Sequence, residues 1–440
     1  MSVSADQVFS KVLKRLVPFI MLLFFISLLD RANISYAALQ MNKDLGLGPS
    51  AYGFAAGIFF VGYFLFEIPS NIALAKIGAR KWLGRIMITW GLVAIAMAWV
   101  SGAASLYSLR FLLGVAEAGL LPGVMFYLAR WIPGRARGAT LSVLMATTAI
   151  AYVIGAPLST WLMSFNGVLG LKGWQLMFVV EGIPAVIFGL VTLATLPETP
   201  SEAKWLTGPE RDTLNNAIAR ESDAKQAHGP SSMWQGLTDR RILLASVFTF
   251  FCICVNFGTV FWLPQIIKSF GHISNMEVGL LSAIPYALGG IGMIISGRHS
   301  DQTGERRWHL FSGAALAAVG YTAAAFAPEP VYAFIAICIA AIGIWSTFGL
   351  IWAYAGDLVA GPAAATGFAV INSIGSAGGF VGPFLIGWVR AHTHGFSGGL
   401  LTLAAFGAFT ALFALMLKGR PIPTSTETLV ASADPMVTVE

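Results

Sequence analysis

Twelve long apolar runs dominate this 440-residue chain and leave few folds open to it. Each run has about 20 residues or more, which is the length that an α-helix needs to cross the hydrocarbon core of a bilayer. The runs form two groups of six, at about 16–39, 52–75, 83–103, 106–129, 138–163 and 174–196, and then at 242–267, 276–297, 308–327, 330–356, 364–389 and 399–417. We therefore predict an all-α membrane protein with twelve transmembrane helices.

Composition supports this class. Hydrophobic residues make up 56% of the chain and charged residues 11%, which excludes an ordinary soluble globular protein. The first apolar run is too long for a secretory signal peptide and has no small-residue cleavage pattern behind it. Cys252, Cys254 and Cys338 lie in apolar runs without metal-ligand spacing, and a metal site at His392 and His394 lacks a third ligand. We expect neither a metal nor a cofactor.

Lysine and arginine indicate on which side of the membrane each loop lies, because cytoplasmic loops carry an excess of them. Most of the 27 fall in the N-terminus, in alternate loops, between the two groups of runs and in the tail. The opposite loops hold Lys43, Lys172, Lys268 and Arg390. We therefore expect a multi-pass protein of a bacterial-type plasma (inner) membrane with both termini in the cytoplasm. The net charge of +6 reflects this topology rather than a nucleic-acid partner.

The two groups of six define the expected domains, which are two pseudo-symmetric six-helix bundles. We place a cytoplasmic N-terminus at 1–15, the N-terminal bundle at 16–197, a cytoplasmic linker at 198–241, the C-terminal bundle at 242–418 and a disordered cytoplasmic tail at 419–440. A constant shift aligns 52–82 with 278–308 and brings Gly53 onto Gly279 and Arg80 onto Arg306. A six-span unit used twice is typical of transporters in which two bundles rock around a site at their interface.

Two pairs of charged residues lie inside apolar runs. Asp30 and Arg31 are adjacent in the first run, and Arg110 and Glu117 lie seven positions apart in the fourth, on one helical face. A charge at such a depth costs about 2.5–3.5 kcal/mol on insertion scales, so it persists where it faces the protein interior or a water-filled cavity. From the expected ends of the spans, we predict that all four meet near mid-membrane.

Two acids and two bases at one level are close to neutral while the site is empty, so an organic anion can enter if a proton cancels one acid. We therefore predict that Asp30 and Glu117 are proton-coupling acids. Arg31 offers a fork that fits a carboxylate. Arg110 is a second candidate binder, and an outer gate or a structural partner for Asp30 stay open as alternatives. Static ion pairs that hold helices together are the alternative for all four.

The loop at 297–307 contains a glycine, an acid four positions later, a second glycine and a basic pair. It resembles the signature loop of the major facilitator superfamily. The corresponding loop after the second run keeps its basic residues but has Ala75 in place of the acid. The latch of the first half is complete only if Glu67 substitutes for this acid. The resemblance implies the major facilitator fold and a cytoplasmic gate formed by Glu67, Lys76, Arg80, Lys81, Asp301, Arg306 and Arg307.

Longer matches, in the expected order, resemble the anion:cation symporter branch of that superfamily. They include 30–33, 66–71, 110–119, 181–184 and 378–383, and the resemblance covers nearly the whole chain. Members of this branch move small organic anions such as tartrate, phthalate, hydroxyphenylacetate or sugar acids such as galactonate, usually with protons. The resemblance therefore implies H⁺ as the coupling ion.

The same resemblance implies substrate contacts by Asn33, Tyr36, Trp352 and Asn372, in addition to the two arginines. For Trp352, the alternative is that the indole ring packs in the apolar core without contacting substrate. For Glu181, as for Glu67, a gate or packing role is the main alternative to a functional acid. Thr147 and Thr148 stand where sugar-acid members carry a longer amide, which weakens a sugar-acid substrate.

These observations predict a secondary active transporter, in which a small carboxylate and a proton cross together by alternating access. We expect a monomer whose partners are this acid and the lipid bilayer. An anion exchanger or uniporter that uses the same arginines is the alternative within transport, and a transporter-like sensor is the alternative outside it. An enzyme is not indicated, because the sequence has no membrane Cys/His cluster and no phosphate-binding Gly-Lys-Ser/Thr loop.

Overall fold

The computed structural model describes residues 5–132, 134–226, 239–358, 364–393 and 395–417. The regular structure of these residues is helical. The first half contains α1 (Ala5–Asp44), α2 (Pro49–Ile77), α3 (Ala79–Ala96), α4 (Ala103–Glu117), α5 (Leu120–Ala129), α6 (Gly134–Leu162) and α7 (Gly173–Thr195). After α8 (Gly208–Gln226), the second half contains α9 (Arg240–Lys268), α10 (Asn275–Thr303), α11 (Arg307–Ala325), α12 (Pro330–Leu358), α13 (Ala364–Thr393) and α14 (Ser397–Met416).

Within the described residues, eleven helical stretches are long and apolar enough to cross a membrane, with α4 and α5 together forming one of them. They coincide with eleven of the predicted runs. The remaining run, 308–327, coincides with α11, whose 19 residues pack against α12 and α14. The prediction of an all-α membrane protein is confirmed. The domain boundaries stay a prediction; the tail at 419–440, residues 227–238 of the linker, His228 and His394 lie outside the described residues.

The two halves meet where α2 packs against α13, and glycines there bring the backbones of the two helices into contact. A Cβ added to Gly53 would lie 2.6 Å from the carbonyl oxygen of Pro383, and one added to Gly57 would lie 2.8 Å from that of Phe380. A Cβ on Gly387 would lie 2.5 Å from the carbonyl oxygen of Pro49. Small residues allow helices to approach this closely. The contact lies toward the end of the molecule opposite the linker, because α2 begins there.

The fourth span is broken, which the sequence pattern did not predict. Helix α4 ends at Glu117, Ala118 has an extended ψ of 129°, and α5 begins after Gly119, whose φ is +88°. Glycine adopts this left-handed conformation at little cost. The hydroxyl of Ser70 donates to the freed carbonyl of Ala118 at 2.6 Å. The break therefore places Glu117 at the end of a half-helix.

Candidate functional site

A buried ion pair joins α1 to α4. The Nη2 of Arg31 donates to the Oε1 of Glu117; the Glu117 side chain is fully buried, whereas that of Arg31 is 17% exposed. In the described part of the chain, the Oε2 of Glu117 and the Nε of Arg31 have no hydrogen-bond partner. Removing one partner of a buried pair typically costs about 3–5 kcal/mol, because a charge stays behind unpaired. Loss of either partner is therefore costly, and each partner keeps unused hydrogen-bonding capacity.

Asp30 is held by neutral donors. Its Oδ2 accepts a hydrogen bond from the indole Nε1 of Trp90 in α3 at 2.7 Å, and its Oδ1 accepts one from the Nδ2 of Asn33 at 3.0 Å. All three side chains are buried. The sequence analysis missed Trp90. The available signal was an indole N–H within an apolar run, since such a group requires an acceptor when it is buried.

Arg110 is fully buried and is bound to backbone oxygens. Its Nε donates to the carbonyl of Ala55 at 3.2 Å and its Nη2 donates to that of Ala56 at 3.3 Å, both in α2. Its Nη1 has no hydrogen-bond partner among the described residues. The hydrogen bonds of Arg110 thus go to carbonyl groups and not to Asp30, the structural partner that the sequence offered as an alternative.

The ring of Phe59 contacts both arginines. The Cζ of Arg31 lies 5.3 Å from the ring centroid, and the Cζ of Arg110 lies 5.0 Å from it. These distances are within the range of cation–π attraction. The structure therefore brings the four predicted charges into one region around Phe59, a residue that the sequence analysis did not identify.

The other predicted contact residues have different partners. The Nδ2 of Asn372 donates to Glu67 at 2.9 Å across the two halves, so both side chains are engaged with each other. Tyr36 is buried in α1, and Trp352 is half-buried against the apolar core in α12. Within the described residues, no hydrogen bond or ring contact joins Tyr36 or Trp352 to the four charges.

A further buried acid, besides Asp30, Glu67 and Glu117, lies in the first half. The Oε1 of Glu181 in α7 accepts a hydrogen bond from the hydroxyl of Ser159 in α6 at 2.7 Å. Its Oε2 has no hydrogen-bond partner among the residues described. Glu181 thus connects two helices of one half and keeps one oxygen unused, and its role stays a prediction.

The predicted gate of the second half is paired within its own loop. The Nη1 of Arg306 contacts Asp301 at 2.5 Å and Ser300 at 3.2 Å. The Nη2 of Arg307 donates to the carbonyl of Leu415 at 2.5 Å, at the end of α14. These contacts hold the signature loop against the C-terminal helix.

In the first half, Glu198 supplies the acid that the signature loop lacks. Its carboxylate accepts hydrogen bonds from the backbone N–H groups of Ala79 and Arg80, each at 2.8 Å, and pairs with Arg130 at 3.0 Å. An acid at the N-terminus of a helix is stabilising, because free N–H groups and the helix dipole meet it there. Glu67 bonds to Asn372 in this structure, and its substitution for the missing acid stays a prediction.

The remaining basic residues of this gate are oriented toward the linker or toward solvent. Arg80 pairs with Glu202 at 3.0 Å, and Lys76 and Lys81 are exposed. In the part of the chain that the structure describes, no three His, Cys, Asp or Glu side chains form a group that could hold a metal ion. The charged groups at the candidate site are carboxylates, which can exchange protons, and guanidinium groups, which can bind anions.

A helical membrane fold with buried carboxylates and guanidinium groups beside the seam of two halves defines a transport protein rather than an enzyme. The model of the Major Facilitator Superfamily matches residues 20–383 and 272–433. The chain belongs to this superfamily and is a secondary transporter that spans the membrane several times.

Comparison with known proteins gives the same result. The chain is 46% identical over 426 residues to "Putative tartrate transporter" of Agrobacterium vitis, covering 97% of this chain and 94% of that protein. It is 38% identical over 415 residues to "Quinolone resistance transporter" of Acinetobacter baumannii, covering 94% and 96%. The fold matches an inward-facing, unoccupied bacterial homologue of the human lysosomal transporter Spinster with a TM-score of 0.76, at 18% identity over 95% of this chain and 99% of that one. The predicted family is confirmed.

Proposed function

We propose that this protein is a proton-coupled symporter of a small dicarboxylate of the tartrate type. The observation that carries the proposal is the buried pair of Arg31 with Glu117, at the point where the fourth span breaks. The relative named as a tartrate transporter, 46% identical over nearly the full length, supports the substrate class.

The pair couples a proton to an anion through charge balance. While Arg31 and Glu117 are paired, their charges cancel. A proton on Glu117 leaves the guanidinium of Arg31 uncompensated, and a substrate carboxylate then restores neutrality. Because a buried unpaired charge is costly, the proton and the anion each favour the binding of the other. The partial exposure of Arg31 gives a carboxylate access to its fork.

A second carboxylate has a second cation available. Arg110 contacts the same Phe59 ring as Arg31 does, and its Nη1 has no partner within the described chain. Asp30 provides a second acid, and it accepts hydrogen bonds from two neutral groups, the indole of Trp90 and the amide of Asn33. A diacid placed between the two arginines satisfies donors that are otherwise unused, which favours a dicarboxylate over a monocarboxylate.

Alternating access requires the seam between the halves to open and close. The Gly53 and Gly57 contacts close the end opposite the linker, and the bond from Asn372 to Glu67 crosses between the halves. With the termini in the cytoplasm of an inner-membrane protein, as the basic loops indicate, the closed end faces the periplasm. We infer that the site is reached from the cytoplasm when this end is closed.

The test is uptake of radiolabelled L-tartrate into proteoliposomes with and without an imposed inward proton gradient. We expect the wild type to concentrate tartrate only with the gradient, and Glu117→Gln to exchange tartrate without concentrating it. Asp212→Asn, which changes an exposed acid of α8, is the control and should match the wild type. Uptake that ignores the gradient would instead identify an exchanger or uniporter, and absence of uptake for any acid tested would identify a sensor.

A further inference from the structure

A cavity of about 370 Å³ opens at the end of the molecule opposite the linker, on the seam between the halves. Three basic side chains line it, and each lies in the last turn of its helix: Lys43 in α1, Lys268 in α9 and Arg390 in α13. They are three of the four basic residues assigned to this side by the sequence. The fourth, Lys172, pairs with Asp44 at 3.1 Å.

The residues that line this cavity carry charge of one sign, and Asp44 near Lys43 and Glu277 near Lys268 lie outside the lining. No Asp or Glu is among the described residues that line it. A larger cavity of about 690 Å³ adjoins it, shares Pro49, Ser269, Arg390 and Phe396 with it, and adds one acid, Glu329. Basic residues also stabilise helix C-termini, by about 0.3–1 kcal/mol each. That role explains the residue types, but it does not explain why three helices from two halves direct them into one cavity.

Arg390 is held in a fixed position. Its Nη1 donates to the Oε1 of Gln265 at 3.0 Å, and its Cζ lies 3.8 Å from the ring centroid of Phe396 and 5.3 Å from that of Trp262. Lys268 also donates a hydrogen bond, to the carbonyl of Ile273. The guanidinium is thus pre-oriented by aromatic faces, which leaves its other N–H groups for an anion.

An aromatic seal separates this cavity from the central charges. The ring centroids of Trp262 and Tyr52 lie 5.0 Å apart, and the Tyr52 hydroxyl donates to the carbonyl of Phe261 at 2.7 Å across the two halves. The ring of Phe261 lies 6.0 Å from the Cζ of Arg110. Arg390 contacts the seal through Trp262 and Arg110 contacts it through Phe261, so a cation lies on each side.

We propose that the cavity lined by Lys43, Lys268 and Arg390 is an anion-collecting vestibule, which binds a small carboxylate before the seal opens toward Arg110. A cleft lined by one sign of charge raises the local concentration of a counter-ion by about 10–10³-fold. The carboxylate class rests on the proposed function, whereas the accumulation of anions follows from the charges alone.

The vestibule is tested by cysteine labelling, without any transport step. Ser269 is exposed and lines both cavities, so Ser269→Cys is labelled with a negatively charged and a positively charged methanethiosulfonate in lipid nanodiscs at low salt. Ser164→Cys is the matched control, because Ser164 is exposed at the same end of the molecule after α6. The wild type gives the background, since its three cysteines are buried.

We expect the ratio of anionic to cationic labelling rates to be about 10-fold higher at position 269 than at 164. Replacing Lys43, Lys268 and Arg390 together by Gln, or adding 0.5 M NaCl, should bring the two ratios together, because salt at that level screens the charges. Equal ratios at both positions with the three basic residues intact would overturn the vestibule. If the triple variant does not fold, Lys43→Gln and Lys268→Gln are measured singly.

Tartrate uptake separates this inference from the proposed function. We expect the triple variant to raise the KM for L-tartrate severalfold with little change in maximal rate, because the three residues lie outside the central site. A wild type that shows the labelling difference but takes up no tartrate would contradict the proposed function alone. A triple variant with unchanged KM and unchanged labelling ratio would contradict the vestibule alone.

Discussion

Asn372 in α13 donates a hydrogen bond to the carboxylate of Glu67 in α2 at 2.9 Å, and this bond links side chains from the two halves of the protein. Glu67 is buried, and Asn372 is half-buried. A transporter that alternates between two openings must rearrange contacts between its halves. The Glu67–Asn372 bond therefore belongs to one conformation and contributes to its stability.

Removal of Asn372 should destabilise the conformation described here. A hydrogen bond to a charged group contributes about 1.5–3 kcal/mol, and Asn372→Ala leaves a buried carboxylate without this donor. We expect the melting temperature of the purified protein to fall by several degrees. Glu67→Gln retains an acceptor and should lower it less. If the double variant is as unstable as the sum of the two single variants, the bond does not couple the halves.

Arg31 should not be replaceable by lysine. A lysine keeps the charge but offers a point donor instead of a planar fork, so bidentate contact with a carboxylate is lost. We expect Arg31→Lys to weaken L-tartrate binding by at least about 10-fold, as measured by calorimetry on purified protein. Arg15→Lys, an exposed position in the same helix, should leave the affinity unchanged. If Arg31→Lys keeps the wild-type affinity, bidentate binding of the carboxylate by Arg31 is not required and this part of the proposal is wrong.

Glycine at position 119 should be required for the broken span. Its φ of +88° disfavours any side chain by about 1–2 kcal/mol, and an added Cβ would collide with the side chain of Ser70. We expect Gly119→Ala to lower thermal stability and to reduce uptake, because Glu117 is displaced. Gly102→Ala is the control, since Gly102 has extended backbone and no heavy atom within 4 Å of an added Cβ. Equal effects of the two changes would contradict this role.

Low pH should release the linker helix α8 from α1. The Nζ of Lys11 lies 2.8 Å from Glu210, and this hydrogen bond holds the pKa of Glu210 below its usual value of 4.5. Because the folded pKa is lowered, the contact stabilises the protein above about pH 4.5 and is lost as the pH falls through the lowered pKa. The protection of the backbone amides in residues 208–218, measured as the exchange rate relative to the intrinsic rate at each pH, should therefore fall at acid pH. Glu210→Gln should already show the lower protection at neutral pH; wild-type protection there would contradict the contact.

The sequence singled out the charged residues of the candidate site because a charge in an apolar run is costly and conspicuous. Asp30, Arg31, Arg110 and Glu117 could be singled out for that reason, although their individual partners could not. Trp90 and Phe59 have no such signal, since the chain contains 13 Trp and 31 Phe and only tertiary packing decides which of them meets a charge. Glu198 was missed because its partners, Ala79 and Arg80, lie more than a hundred positions away along the chain.

The helical fold was predictable because each span must satisfy its own backbone hydrogen bonds in lipid. The break after Glu117 was not, although Gly119 and Pro122 lie beside it, since the chain has 48 glycines and 20 prolines and unbroken helices also contain proline, such as Pro69 in α2 and Pro184 in α7. A left-handed glycine and a hydroxyl from α2 together produce the break. In the sequence, Gly119 and Ser70 look like the many other glycines and serines of the spans, so neither residue predicts the break.

The glycine contacts of α2 and α13 have a consequence for the movement of the two halves. Where Gly53 and Gly57 meet the carbonyl groups of α13, the closest approach is between main chains, while the ring of Phe54 packs against Phe380 and Phe384 beside it. Separation of the two helices therefore has to break these ring contacts. The cost of moving the halves apart falls on these aromatic residues, while the chemistry of the passenger is left to Arg31, Glu117 and their neighbours.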